Sequence, residues 1–433
     1  MMGKVRTGMF ASLLACVLLG IGSLSAHAVE AGYVGRMGPV TGFPKGAAAS
    51  LQFTRNPALP DYVTFTCASD GTYFDSSGVM RTAATDQPRF DYDPATLAPR
   101  GLLIEGQRTN TVRTSTGDSF SYAGTGTITR TVSAGVAPDG TTTMLGFSSD
   151  STAAYGYVQY NGIGTADTYT GSLFVAKGTG TIRVTVWFLG GGTAASNAID
   201  FNIATGATSI ASGSPIVTVV DLGGYWRIGV TGTNNSTGNA NVRMAVSLQT
   251  ISYQFKIWGY QLELGSFLSS YIPTSGTTVT RAADNASIDH VYSIGWNQSA
   301  GTLINEFEMN GLDSAQYVSY AYGGSSAYIR QYFSADATFA VAINNSGFVF
   351  NTVAINPVVA NTVYKTAFAF ALNDGAFVVN GGAPATDTNM TVPAINSLYI
   401  GKSNSGGQMA GWIRSIKYYP SRLPNATLQQ LTQ

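Results

Sequence analysis

Residues 89 to 110 hold six charged side chains in a chain that is otherwise poor in charge. Charged residues make up 11% of the 433-residue sequence, whereas this segment contains Arg89, Asp91, Asp93, Arg100, Glu105 and Arg108. Three kinds of chemistry could use these groups. The carboxyl groups could act as general acid and base, the Asp-x-Asp pair could offer oxygen ligands to calcium, or the opposite charges could neutralise one another in a structural clasp.

The balance of charge in this segment favours the clasp. Planar guanidinium groups bind carboxylates through paired hydrogen bonds, whereas catalytic carboxyl groups usually lack such partners so that their pKa can shift. In a strand, Asp91 and Asp93 would point outward while Phe90 and Tyr92 point inward. We therefore predict a structural clasp without a cofactor or metal. A catalytic or calcium site is the less favoured alternative, because Asp-x-Asp supplies too few calcium ligands.

Other residues with catalytic potential are sparse. Glu306 and Glu308 share a predicted strand face, as glycosidase carboxylates can, but the longer acidic pattern of lectin-fold glucanases is missing from the sequence. His290 lies at the end of a polar segment and gives a catalytic triad or a histidine metal site little to build on. Cys67 is predicted to be a small buried hydrophobe. We predict that the protein is not an enzyme, with glycan hydrolysis as the alternative.

Aromatic residues offer better material for binding. Tyr320 and Tyr322 share one predicted strand face, and Tyr328, Arg330 and Tyr332 share another. Aromatic rings stack on the apolar faces of sugars, and arginine donates hydrogen bonds to hydroxyl or acidic groups. Cross-strand aromatic pairs also stabilise sheets that bind nothing, and packing alone is the more common reason for such a pattern.

Tyr155, Tyr157 and Tyr160, in the middle of the chain, could likewise either bind a glycan or only pack within a sheet. Trp296 lies beside a polar segment and is expected to be partly exposed. Strand patterns place the other tryptophans in the core, namely Trp187, Trp226, Trp258 and Trp412.

Short strands must position all of these residues. The 51 glycines and the scarcity of Lys and Glu argue against long helices. Alternating runs separated by turn signals recur from 115 to 273 and from 298 to 433, and "NDG" at 373 to 375 is a hairpin turn. We predict an all-β fold of two antiparallel β-sandwiches, a jelly roll and a concanavalin-A-like sandwich. A polar connector at 274 to 297 joins them and re-enters regular structure near Val291.

The amino terminus has the features of a signal peptide at residues 1 to 28. Lys4 and Arg6 precede a long apolar run, and "AHA" places small residues before a cleavage site that would leave Val29 first. An uncleaved membrane anchor is the alternative, since the run approaches the length that spans a bilayer. The prediction is export, with location in a virion as the alternative.

Residues 29 to 114 are predicted to comprise an extended arm, at 32 to 60, and the charged clasp segment. Between them, 61 to 79 alternates around an "SDG" turn, which predicts a hairpin. At the other end of the chain, a short helix is predicted with Pro424 in its first position. The chain carries 23 basic and 23 acidic residues, so we predict no nucleic-acid partner.

Two long runs resemble a module of bacteriophage and prophage structural proteins. "VTFTCASDGTYFDSSGVMRTAATDQPRFDYDPATLAPRGLLIEGQRTN" and, about 150 residues later, "GYQLELGSFLSSYIPTSGTTVTRAAD" look like signature runs of head-spike or tail-fibre proteins with a carbohydrate-module-like jelly roll. The end of the chain, "LYIGKSNSGGQMAGWIRSIKYYPSRLPNATLQQL", looks like a laminin-G or concanavalin-A-like lectin domain. Cys67, Gly106 and Pro424 depart from the pattern, where arginine, glutamate and serine are usual.

This resemblance implies a non-enzymatic protein that binds a cell-surface polysaccharide or another glycan. Other virion proteins are implied as further partners, and a homotrimer as the assembly. A purely structural virion decoration protein is the alternative that the same resemblance allows.

Overall fold

The computed structural model of the chain describes residues 46–116, 120–251, 253–312, 314–334, 338–355 and 358–433. The predicted signal peptide lies outside these residues. The chain is built almost wholly from strands in the described ranges, as the sequence predicts, and none of the helices found there is long and apolar enough to cross a membrane. The first strands are β1 (Ala49–Gln52), β2 (Thr64–Thr66), β3 (Gly71–Phe74), β4 (Met80–Ala83), β5 (Phe90–Tyr92), β6 (Pro99–Ile104) and β7 (Arg108–Asn110).

An amino-terminal sandwich follows in the chain. Its strands are β8 (Ser121–Ala123), β9 (Ile128–Thr131), β10 (Leu145–Ser149), β11 (Tyr155–Asn161), β12 (Thr168–Ala176), β13 (Thr181–Leu189), β14 (Ala195–Asn202), β15 (Thr208–Ser212), β16 (Ile216–Asp221), β17 (Tyr225–Thr233), β18 (Asn241–Leu248) and β19 (Phe255–Leu264). One antiparallel sheet has the order β16-β17-β12-β19-β10-β9, and the other has the order β15-β14-β13-β18-β11-β8. Because side chains alternate along each strand, one face of each sheet fills a shared core that includes Phe147, Val184, Phe201 and Ile228.

The remaining strands are β20 (Val279–Arg281), β21 (Asn285–Ile288), β22 (Ala300–Gly311), β23 (Gln316–Gly324), β24 (Ala327–Phe333), β25 (Phe339–Asn345), β26 (Phe348–Ile355), β27 (Val363–Ala371), β28 (Asp374–Val379), β29 (Ala385–Asp387), β30 (Ser397–Ile400) and β31 (Ala410–Tyr419). They build most of a carboxy-terminal sandwich. Its sheet A has the order β29-β28-β27-β22-β31-β6-β5, with β1 also paired to β31, and its sheet B has the order β2-β21-β30-β23-β24-β25-β26. Leu102, Phe307, Ile329 and Phe368 belong to the core between them.

Strand pairing in the carboxy-terminal sandwich joins distant parts of the chain. β1, β2, β5 and β6 come from the segment 29–114 and pair with strands that follow residue 284 or complete the same sheet. The segment 274–297, which the sequence suggested as a polar connector, forms β20 and β21 before Val291. β20 pairs with β7, and β21 pairs with β2 and β30.

The hairpin predicted for residues 61–79 is wrong, whereas the one at 373–375 is confirmed. β2 pairs with β21 and β3 pairs with β4, so the strands on either side of the "SDG" turn belong to different sheets. Alternation identifies a strand but not its partner, and Phe65 of β2 is buried in the carboxy-terminal core. β27 and β28 do form a hairpin, in which Asn373 takes the left-handed backbone conformation that the turn requires, with φ 55°.

Trp296 is buried, contrary to the prediction that it is partly exposed. A 3-10 helix (Val291–Ile294) ends at Gly295, whose φ of 63° turns the chain back onto the sandwich. The Trp296 ring then stacks on Tyr418, with ring centroids 4.5 Å apart and planes 8° apart, and lies 5.7 Å from the ring of Phe370. The polar sequence around Trp296 gave the wrong prediction, because the rings that bury Trp296 come from residues far along the chain.

Three further predictions concern single residues. Cys67 is buried in the core, as predicted, and burial raises the pKa of its thiol. Trp187 was expected in the core, but it is half-buried on the outer side of β13, beside Tyr155. The carboxy-terminal helix α1 (Asn425–Leu431) begins one residue after Pro424, because the extended ψ of 148° at Pro424 places it in the capping position.

Candidate functional site

Tyrosine rings from three neighbouring strands cover the outer side of sheet B. The strand register places Tyr320 between Tyr399 of β30 and Arg330 of β24, and places Tyr322 opposite Tyr328. The residues that alternate with these side chains fill the core on the other side of the sheet. We define the tyrosine face as the side chains of Tyr317, Tyr320, Tyr322, Tyr328, Arg330, Tyr332 and Tyr399.

The two strand faces suggested by the sequence are therefore one surface. Tyr317 and Tyr399 belong to it as well, although the sequence analysis missed both. Simple alternation would place Tyr317 and Tyr320 on opposite faces, and the register shift between Tyr317 and Ser319 brings them onto the same face. Tyr399 is supplied by β30, far along the chain, and the pattern of alternation alone cannot show that β30 pairs with β23.

The rings of the tyrosine face touch one another. The centroid of Tyr320 lies 5.4 Å from that of Tyr328 and 5.8 Å from that of Tyr322, and both pairs are stacked. Tyr317 and Tyr332 stack at 5.9 Å. Tyr320 at the centre is buried by its neighbours, and burial raises the pKa of its phenol well above the ordinary range. Tyr328 is buried as well, whereas Tyr317, Tyr322, Tyr332 and Tyr399 are half-buried and present aromatic surface with hydroxyl groups.

Two cations lie against these rings. The guanidinium carbon of Arg330 is 4.1 Å from the ring centroid of Tyr332 and 5.1 Å from that of Tyr328, both within cation–π range. Lys402 Nζ lies 5.6 Å from the ring centroid of Tyr399 and donates a 2.5 Å hydrogen bond to Asn285 Oδ1. Burial lowers the pKa of Lys402. The face therefore combines apolar ring surfaces with positive charge.

The strands beside the rings carry small or hydrogen-bonding side chains. On one side, Ala340 and Ala342 of β25 lie opposite Tyr332 and Arg330 in the register, and both alanines are buried. On the other side, β21 and β2 present polar groups. The hydroxyls of Thr64 and Ser287 both donate to the carboxylate of Asp289, at 2.8 and 2.6 Å, and hydrogen bonding to both lowers the pKa of Asp289.

A second aromatic patch lies on the outer side of the amino-terminal sandwich. The rings of Tyr155 and Tyr157 on β11 are 5.9 Å apart, and Tyr155 is 6.2 Å from Trp187. The guanidinium of Arg243 covers Tyr157 at 3.9 Å and donates hydrogen bonds of 3.1 and 2.7 Å to Gln159. Tyr160 does not share this patch, because it packs on the core of that sandwich.

Two of the six charged residues at 89–110 meet in a buried ion pair. Arg89 Nη1 donates 2.7 Å to Glu105 Oε2, and Arg89 Nη2 donates 2.5 Å to Asp284 Oδ2. Arg281 Nη1 donates 2.8 Å to the same oxygen of Glu105. We call Arg89, Glu105, Arg281 and Asp284 the buried quartet. All four are at most 4% exposed, and their charges cancel.

The buried quartet ties together segments that are far apart in the sequence. Ser270, in the loop after β19, donates to both oxygens of Glu105 through its backbone N–H at 2.8 Å and its hydroxyl at 2.6 Å. Burial alone would raise the pKa of Glu105, but Arg281, Arg89 and these hydrogen bonds together lower it to about 2. Arg89 also donates to the carbonyl of Thr72 at 3.1 Å. The quartet therefore links β5 and β6 to β20, β21 and the end of the amino-terminal sandwich.

The other charged residues of the segment find partners elsewhere. Arg100 forms an ion pair with Glu308 and lies 3.4 Å from the ring centroid of Trp412. Arg108 lies 3.8 Å from Glu263 and donates a 2.6 Å hydrogen bond to the carbonyl of Leu264. Asp93 accepts backbone N–H bonds at 2.9 Å from Ala95 and Thr96 and fixes a turn.

Asp91 is buried and not outward-facing, which corrects the expected orientation of β5. The neighbouring Phe90 and Tyr92 are half-buried. Asp91 Oδ1 accepts a 2.6 Å hydrogen bond from the N–H of Phe74, and Oδ2 accepts one of 2.8 Å from Trp412 Nε1. Burial outweighs these bonds and raises the pKa of Asp91 to about 6. Its face is covered because the β3–β4 hairpin lies against it, a contact that no local pattern encodes.

Glu306 and Glu308, the carboxylates considered for hydrolysis, both interact with arginine. Arg414 lies 3.2 Å from Glu306 and 3.8 Å from Glu308, which also pairs with Arg100. His290 is exposed and stacks on Tyr292 at 5.3 Å. Within the described ranges, no group of three or more His, Cys, Asp or Glu side chains is arranged to hold a metal ion.

Comparison with known proteins gives resemblances of fold only at low identity. No family model matches the chain, and no curated protein matches it. Among solved structures, the CBM40 of the Ruminococcus gnavus IT-sialidase bound to α2,3-sialyllactose is 13% identical, with a TM-score of 0.28, over 32% of this chain and 84% of that one. Domain 4 of AbnA, a GH43 extracellular arabinanase from Geobacillus stearothermophilus in complex with arabinotriose, is 11% identical, with a TM-score of 0.32, over 39% and 81%. A heptameric SAP-like pentraxin from Limulus polyphemus is 14% identical, with a TM-score of 0.25, over 31% and 70%.

Proposed function

We propose that this protein binds glycans through the tyrosine face of sheet B and performs no chemical step on them. The observation that carries the proposal is the group of contacting tyrosine rings around Arg330 on the side of the sheet that faces away from the core. Sugar rings offer apolar faces that stack on aromatic side chains, and their hydroxyls exchange hydrogen bonds with phenol, amide and guanidinium groups. A flat surface with these groups suits a polysaccharide chain.

Packing alone is the competing explanation for these rings, and one feature favours binding over it. Arg330 and Lys402 place positive charge on the rings, although sheet packing needs no charge.

The test is binding of the purified full-length protein to an array of bacterial and plant polysaccharides. The double variant Y322A/Y332A removes two half-buried rings of the tyrosine face, and we expect it to weaken binding at least about tenfold. Y292A is the matched control, because Tyr292 is 77% exposed and lies outside the face. Unfolding midpoints of both variants report whether the fold is intact. Equal binding by wild type and Y322A/Y332A would contradict the proposal, and so would wild type that binds no polysaccharide.

The absence of catalysis is also part of the proposal. It is supported by the arginine partners of Glu306 and Glu308, because paired carboxylates make poor general acids and bases. Reducing-sugar release from any polysaccharide that binds should equal the blank without enzyme. Release that disappears in E306Q or E308Q would instead establish a hydrolase.

We further propose that the protein acts after export, as a surface component like the phage spike and fibre proteins that its sequence resembles. The basis is the apolar run before "AHA" and the two phage-like runs of the sequence. Mass spectrometry of culture supernatant should find a peptide that begins at Val29. A full-length amino terminus in purified virions would support a virion component that is not exported, and detection in neither fraction would contradict both locations.

A further inference from the structure

We propose that the ligand of the tyrosine face is an acidic glycan, and that Arg330 binds its anionic group. This inference rests on the proposed function and specifies its substrate class. It is carried by the Arg330 side chain, which lies against two rings of the face and has no carboxylate partner among the described residues.

Among the described residues, Arg330 interacts with rings and forms no ion pair. Its guanidinium carbon is 4.1 Å from the ring centroid of Tyr332 and 5.1 Å from that of Tyr328. Its Nε–H is buried and donates no hydrogen bond, and no carboxylate in the described ranges lies within ion-pair distance of the guanidinium. Because Nε itself is covered by protein, an anion would accept hydrogen bonds from the terminal Nη groups, whose positive charge has no carboxylate partner among the described residues.

Other arginines on outer sheet faces show the contrast. Arg243 also lies over a tyrosine ring, that of Tyr157, but it donates two hydrogen bonds to Gln159. Arg183 binds Asp200 through both carboxylate oxygens, at 2.8 and 2.9 Å. Stacking on a ring therefore does not prevent an arginine of this protein from having an acceptor. Within the part of the chain that the structure describes, Arg330 has no such acceptor for its Nε–H.

The ring contacts also orient the Arg330 guanidinium so that it can bind an anion. Tyr328 and Tyr332 lie on either side of Arg330 along β24, and the strand register places Tyr320 and Ala342 across from it. Stacking fixes the guanidinium plane and leaves its edge to donate paired hydrogen bonds to a carboxylate, sulfate or phosphate oxygen pair. Lys402 adds a second positive charge next to Tyr399.

The experiment compares pairs of ligands that differ in charge. Polygalacturonate and its fully methyl-esterified form have the same backbone, and α2,3-sialyllactose and lactose differ by one acidic sugar. Heparin and dextran test sulfate groups. Affinities of full-length wild type, R330Q, R330K and the control R243Q are measured for each ligand.

We expect the acidic member of at least one pair to bind about tenfold more tightly than the neutral member. R330Q should abolish that preference, because it should weaken binding of the acidic member more than binding of the neutral member. R330K should restore part of the preference, because lysine keeps the charge without the planar donor pair. R243Q should match wild type.

Three results would overturn the inference, and two of them concern the preference for the acidic member. One is equal affinity of wild type for the acidic and neutral members of every pair. The other is a preference for the acidic member that R330Q retains. Neither result would contradict glycan binding by the tyrosine face, which instead fails if no ligand, acidic or neutral, binds in the array. Loss of all binding in R330Q with an unchanged unfolding midpoint would assign Arg330 to glycan binding in general and would also overturn the inference.

Discussion

Arg89 Nη2 donates a 2.5 Å hydrogen bond to Asp284 Oδ2, although 195 positions separate the two residues in the sequence. The whole amino-terminal sandwich lies between them in the chain. Because Glu105 and Arg281 complete a neutral buried quartet around this bond, the charged segment at 89–110 fixes the place where the chain enters and leaves that sandwich.

Removal of one member of the buried quartet should strongly destabilise the protein. We expect E105Q to lower the free energy of unfolding by about 3–5 kcal/mol, because it leaves two arginines with less than their full counter-charge in a buried site. R81Q, which breaks the exposed pair of Arg81 with Asp75, should cost about 1 kcal/mol or less. Urea denaturation of the two variants measures both values. Equal midpoints for E105Q and R81Q would show that the quartet is not a structural clasp.

The contribution of Glu105 should depend on pH in a direction set by its lowered pKa. The pKa is about 2 in the folded protein, below the ordinary 4.5, so the folded state holds the ionised form. Its stabilisation is therefore present above about pH 4.5 and is lost as pH falls toward 2. The difference between wild type and E105Q in urea should shrink over that interval, and a difference that stays constant would contradict this origin.

Asp91 should have the opposite effect on pH dependence. Its pKa is raised by burial from 3.8 to about 6, so between these values the folded protein keeps a proton that the unfolded chain has lost. The Asp91 contribution therefore makes wild type less stable as pH rises from about 4 to 6. We expect the unfolding free energy of wild type to fall relative to D91N by about 1–3 kcal/mol over this range. A constant difference from pH 4 to 7 would contradict a raised pKa.

The stacked pair of Trp296 and Tyr418 predicts a large cost for W296A. Loss of this buried ring should lower the free energy of unfolding by about 3–5 kcal/mol, because it leaves a cavity between the 3-10 helix and sheet A. Y292A removes an exposed aromatic ring from the same helix and should cost less than about 1 kcal/mol. Thermal unfolding distinguishes them. A W296A midpoint equal to that of Y292A would place Trp296 outside the core, as its sequence context first suggested.

The sequence predicts the fold class well and the strand partners poorly. Alternation identifies strands such as β13 and β24 because burial follows it residue by residue. It cannot show that β2 pairs with β21 or that β6 pairs with β31, since these contacts join residues more than 200 positions apart. The wrong hairpin at 61–79 and the buried side of Asp91 have this common cause.

The candidate sites show the same limit. The equal numbers of acidic and basic residues in the segment 89–110 predicted that these charges neutralise one another. The sequence did not indicate that Arg281 and Asp284, more than 170 positions later, would be their partners. The one available signal was the resemblance, because its two runs contain the two halves of the buried quartet. For the tyrosine face, the spacing of residues along β23 and β24 identified five members. Tyr317 and Tyr399 could be assigned only once the register shift in β23 and the pairing of β23 with β30 were known.

Chemical footprinting of tyrosine tests the central claim most directly, since it locates a bound glycan on the protein. Nitration of tyrosine is measured by mass spectrometry with and without a polysaccharide that binds in the array. We predict that the ligand protects Tyr322, Tyr332 and Tyr399 and leaves Tyr292 fully reactive. Unchanged nitration of the tyrosine face, or protection at Tyr155 and Tyr157 instead, would contradict the assignment of glycan binding to sheet B.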